Sequence, residues 1–166
     1  MAGAEKLIYE LVHFSHQNNL KVTVLIANNY NTEYYDPILK KMGVEVVRTT
    51  LQGIWKLRNP VNLIRALYWN IKLKYFAQRD FESVQVIGLY NVVKMFDAVK
   101  HTKRFFWHVE NRVQYNENRF IYPEFIFNNA QDTIVFINEY QANELHSQYA
   151  SIKCSTRDFK IFLSDI

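Results

Sequence analysis

Cysteine, glycine and proline are scarce in this sequence: its 166 residues include one, four and three of them. The lone Cys154 has no intramolecular partner, so a disulfide framework is excluded and a reducing, cytoplasmic setting fits the composition. With 49% hydrophobic and 22% charged residues of mixed sign, the signature of a disordered chain is missing too. No apolar run approaches the roughly 20 residues that cross a bilayer, and no charged segment followed by an apolar stretch opens the chain. Membrane contact, if present, is therefore expected to be peripheral.

Chemical signatures are equally sparse. Full Gly-x-Gly-x-x-Gly and Walker patterns are absent, which argues against standard dinucleotide and nucleoside triphosphate sites. No Gly-x-Ser-x-Gly elbow occurs, and Cys154 has no histidine partner nearby in sequence. His13 and His16 sit three residues apart without a third ligand, so neither a metal nor a resident cofactor is expected.

What is present reads as one globular domain over residues 1–166, with a substantial core and no room for a second full domain. Six runs have the apolar, β-branched and aromatic character of strands buried on both faces: residues 22–26, 44–47, 84–87, 105–109, 133–137 and 159–163. Helical patterns fall between most of them. Residues 4–18 put Leu7, Ile8, Leu11, Val12 and Ser15 on one stripe. Asn59 and Pro60 open a long helix towards Gln78, and residues 90–100, 118–129 and 139–149 supply others, with Pro123 inside the second. The alternation predicts an α/β, Rossmann-like fold, a mostly parallel sheet with helices on both faces. A doubly wound domain normally starts with a strand, central in the usual order, whereas this chain opens on a helix; that strand is expected upstream.

Charge is uneven along the chain. Residues 51–79 hold six Arg or Lys and no acidic residue, which points to an anionic partner. Arg65, Lys72 and Arg79 recur every seven residues, and Trp69 and Phe76 share their face. Ile64, Leu67, Tyr68, Ile71 and Tyr75 fall on an adjacent face suited to the core. The basic and aromatic face fits anionic lipid headgroups at the inner face of a plasma membrane. A solvated cationic helix whose aromatics pack on a loop fits it as well.

Ligands of open parallel sheets collect beyond the carboxyl ends of the strands. His108, in Phe105-Phe106-Trp107-His108-Val109, lies at such an end, either as a substrate-facing group or as a satisfied core histidine. Asn28 and Asn29, Asn91, and Asn138 with Glu139 also follow strands, and suit either sugar hydroxyls or ordinary caps and turns. Asn111 and Arg112 lie just past His108, where an arginine can clamp phosphate.

Ala2-Gly3-Ala4-Glu5-Lys6, leading into an amphipathic helix, resembles the glycine-rich turn that opens the family 4 glycosyltransferases of the GT-B fold. Residues 20–26, Leu-Lys-Val-Thr-Val-Leu-Ile, resemble that family's second strand, and Gly43-Val44-Glu45-Val46 is similar to its third. Ala2 stands where the family usually has its first glycine. The resemblance spans nearly the whole chain as an N-terminal, acceptor-side domain. It implies that Gly3 and Ala4 approach the donor diphosphate, that catalytic His108 orients substrate or stabilises developing charge, and that Asn91, Asn111, Arg112, Asn138 and Glu139 line the acceptor side. It further implies metal-independent transfer, commonly retaining, from a nucleotide sugar to a glycan or lipid-linked acceptor in bacterial surface-polysaccharide biosynthesis. The nucleotide would be held by a C-terminal domain absent from these residues, so the chain alone is expected to be inactive. Two other readings stay open: a nucleic-acid-binding module using Arg65, Trp69 and Lys72, though no nucleic acid is expected as partner, and a non-catalytic, partner-binding α/β domain.

Overall fold

The computed structural model describes residues 3–26, 34–48, 60–87, 102–109, 124–149 and 151–159; for 3, 4, 48, 62, 65, 66, 69, 124 and 125 it describes the backbone alone. The chain divides into two compact units, Met1–Arg79 and Asp80–Ile166.

The first unit runs α1 (Gly3–Gln17), β1 (Thr23–Ile26), α2 (Asp36–Lys41), β2 (Glu45–Arg48) and α3 (Pro60–Ala77). β1 and β2 pair in parallel, with Val24 opposite Val46. Helices α1 and α2 both stop at a left-handed residue, and the same bonds close each end. Asn19 has φ 56° and Gly43 φ 73°. The amide of Leu20 donates to the Ser15 carbonyl and that of Val44 to the Leu39 carbonyl, satisfying acceptors the helix leaves open. Val12 of α1 and Leu39 of α2 bury against Val24 and Val44, with Ile8, Ile26 and Val46 packed around them. Helix α2 was not expected from the sequence: six residues are too few to show a period. Its signals are Pro37 in the first turn and Gly43 after the last. At the far end of the unit, the Arg79 guanidinium grips the Glu45 carboxylate with bonds of 2.6 and 3.0 Å and holds that carboxyl below its usual range.

The second unit runs β3 (Ser83–Ile87), β4 (Lys103–His108), α4 (Glu124–Phe127), β5 (Asp132–Phe136), α5 (Glu139–Gln148) and β6 (Ser155–Asp158). Its four strands form an all-parallel sheet in the order β3-β4-β5-β6. The α/β class and the parallel, helix-flanked, Rossmann-like arrangement read from the sequence are present. Phe106, Ile134 and Phe136 build the core with Ile126 and Phe127 of α4 and Leu145 of α5, all at 2% exposure or less. Full burial of side chains this size is worth about 1.5–3 kcal/mol each. At the amino ends of the strands, Arg104 and Asp132 face each other in register and are 4% and 0% exposed. The guanidinium donates from Nε and Nη2 to the two carboxylate oxygens at 2.8 and 2.6 Å.

The strand expected at 159–163 lies outside the described residues apart from Phe159; the last described strand, β6 at Ser155–Asp158, was not expected, has all four residues exposed and pairs with β5. Its membership comes from backbone bonding along the sheet edge, to which an apolar pattern is blind. The expected faces of α3 are corrected in part. Ile64, Leu67, Tyr68, Ile71 and Tyr75, read as core-facing, are exposed at 49–71%, while Phe76, read as membrane-facing, is buried with Leu73 and Ala77. Both faces are apolar, so periodicity could not choose between them. The helix expected at 90–100 lies outside the described residues, and of that expected at 118–129 only Glu124–Phe127 is described as helix.

Candidate functional site

In a parallel sheet the carboxyl ends of all the strands lie at one edge, and β4 delivers His108 to that edge as its last residue. Alternation puts His108 on the same face as Phe106, the face of the buried core. Its imidazole stands edge-on to its register partner Phe136, ring centroids 6.4 Å apart. It is 6% exposed, and burial pushes its pKa down from 6.5 to about 4. His108 is therefore a neutral imidazole near pH 7, suited to directing a hydrogen bond at a hydroxyl rather than to supplying positive charge. On the opposite face, Trp107 donates its indole N–H to the Gln85 amide oxygen at 2.7 Å and meets Phe159 edge-on at 5.0 Å. These contacts clamp the strand next to His108 from both sides.

Asn138 follows β5 at the same edge, but its side-chain oxygen accepts the Gln141 amide at 3.1 Å, making it the N-cap of α5. Gln141 returns the favour: its amide oxygen accepts the Ile137 amide at 3.1 Å, and its side chain is buried. This reciprocal cap resembles a capping box and fixes the helix entry. Glu139 is exposed in the first turn. Asn28, Asn29, Asn91, Asn111 and Arg112 lie outside the described residues.

In the first unit, Gly3 is the first residue of α1 and Ala4 the second. A five-residue connection returns the chain from α1 into β1, so the start of α1 lies towards the carboxyl end of that strand. Tyr9 stacks on Tyr35, which leads into α2 on that same side, at 5.4 Å. The amides of Gly3 and Ala4 thus open a helix at the ligand-gathering side of the β1–β2 sheet. Gly3 belongs to the first unit and His108 to the second.

Of the residues assigned to a lipid-facing surface, Lys72 is exposed, Phe76 is buried, and Arg79 is exposed but held by Glu45. The side chains of Arg65 and Trp69 are not described. Sequence reasoning missed the Arg104–Asp132 pair, because charged residues at strand starts read as loop. It also missed the outward apolar face of α3. Among the described residues no helix is long and apolar enough to cross a membrane, and no group of three or more His, Cys, Asp or Glu side chains gathers. Comparison of the chain with protein-family models, with curated proteins and with solved structures gives no match.

Proposed function

We propose that this chain is the acceptor-side half of a GT-B glycosyltransferase, transferring a sugar from a nucleotide-sugar donor to a glycan or lipid-linked acceptor. The observation that carries the reading is the grouping of the strands: a parallel pair, β1 and β2, followed by a parallel quartet in chain order. Parallel strands joined through helices are the make-up of a doubly wound half of that fold, whose ligands gather beyond the carboxyl ends of the strands. The opening residues Gly3-Ala4-Glu5-Lys6 at the start of α1 support the reading through their likeness to the glycine-rich turn of that family.

In this reading, His108 works as a neutral hydrogen-bonding group at the carboxyl edge, orienting an acceptor or donor hydroxyl. The helix start at Gly3 and Ala4 favours diphosphate charge through its unsatisfied amides. Transfer needs no metal, and the nucleotide is held by a second domain. Asn138 acts through the backbone it caps rather than on sugar.

The test is sugar transfer from nucleotide sugars to lipid-linked glycan acceptors. The 166 residues alone are expected to be inactive, whereas the polypeptide carrying them with a donor-binding domain is active. Turnover by the 166 residues alone overturns the reading.

A further inference from the structure

Helix α3 carries seven large apolar side chains that are 48–71% exposed: Val61, Leu63, Ile64, Leu67, Tyr68, Ile71 and Tyr75. At about 100° per residue they sweep an arc of roughly 160°. Leu73, Phe76 and Ala77 occupy the opposite arc and are buried. The helix is thus apolar on two faces, one of which already has its packing partner. An outward apolar patch of this kind marks an interaction surface.

Charge decides the occupant. Exposed Lys72 stands just outside one edge of the apolar arc and exposed Lys74 just inside the other, and the helix contains no acidic residue. Nor does any stand between residues 51 and 79. A second copy of the chain laid along this face would bring two all-cationic helices together, at a repulsive cost. An anionic bilayer surface answers both features: aliphatic side chains enter the acyl boundary, tyrosines sit at headgroup level, and lysines reach the phosphates. The helix spans about 27 Å, long enough to lie flat over several lipids.

We propose that the outward face of α3 docks the protein on an anionic lipid bilayer, with Ile64, Leu67 and Ile71 inserted and Lys72 and Lys74 at the phosphate level. The proposal stands independently of the sugar-transfer reading. The lipid-facing group becomes this apolar face with its lysine border, in place of one built around Phe76.

Flotation with phosphatidylcholine vesicles, with and without phosphatidylglycerol, tests it. The protein is expected to float with the anionic vesicles and only weakly with neutral ones. Ile64→Ser, Leu67→Ser and Ile71→Ser together should weaken binding at least about tenfold. Lys72→Gln with Lys74→Gln should cost a similar factor on anionic vesicles and little on neutral ones. All five positions are exposed, so circular dichroism should show an unchanged fold. A nitrobenzoxadiazole label on Ile71→Cys supplies a second readout, since native Cys154 is buried and its thiol is held protonated by burial. Its emission should shift to the blue on anionic vesicles. The proposal is overturned if the native protein floats with neither vesicle, if the triple serine variant binds as the native protein does, or if the label stays in water. It is overturned equally if the native protein forms a dimer that the triple variant dissociates.

Discussion

Replacing His108 by Phe should remove a pH dependence of stability whose size follows from its site. The imidazole pKa is about 4 in the folded protein and 6.5 when unfolded, with burial as the cause. Between these values the unfolded chain binds more protons, so stability rises with pH there, is fully present above about 6.5 and drains away as pH falls. The whole effect is about 3 kcal/mol, of which about 2 kcal/mol is lost on going from pH 7 to pH 5. Phe keeps an aromatic ring against Phe136 and carries no titrating group. Urea unfolding of native protein and variant at both pH values provides the readout. With a slope near 2 kcal/mol/M, the native midpoint should fall about 1 M further than that of the variant. The four other histidines are common to both proteins and cancel in the comparison. Midpoints that fall in parallel would refute a buried, neutral His108.

Asp132→Asn should destabilise the protein by about 3–5 kcal/mol in urea titration, because it leaves the Arg104 guanidinium buried without its countercharge. The double change Arg104→Met, Asp132→Leu should cost less, and equal losses would contradict the reasoning. Gly43→Ala should cost about 1 kcal/mol of unfolding free energy: the left-handed backbone resists a Cβ, although nothing lies within 4 Å of where that atom would sit. Asn138→Ala should cost about 1 kcal/mol by stripping the cap from α5, measured by the same titration.

Much of the fold was legible because burial on both faces leaves a direct trace in composition. The strands at Val24, Val86, Phe106 and Ile134 lie inside continuous apolar runs. The unexpected β6 has no such trace, since its exposed Ser155 and Asp158 are held by backbone pairing at an edge. Charged Arg104 and Asp132 were left out of their strands because each looks like loop until the other is set opposite it in register. Helix α3 offered two apolar faces, and only packing reveals that Phe76 goes inward while Tyr75 stays out. For the candidate site, strand-end position correctly brought His108 to the carboxyl edge. Its neutrality was not readable, because desolvation by surrounding aromatic and aliphatic groups is a property of the folded core.

Sugar transfer by a polypeptide that joins this chain to a donor-binding domain, as the proposal requires, assayed beside its His108→Ala variant, tests the account most directly. The account predicts transfer from a nucleotide sugar to a lipid-linked glycan, a kcat at least about a hundredfold lower in the variant, and little change in donor KM. Absence of transfer from any nucleotide sugar, or a variant as active as the native protein, would contradict it.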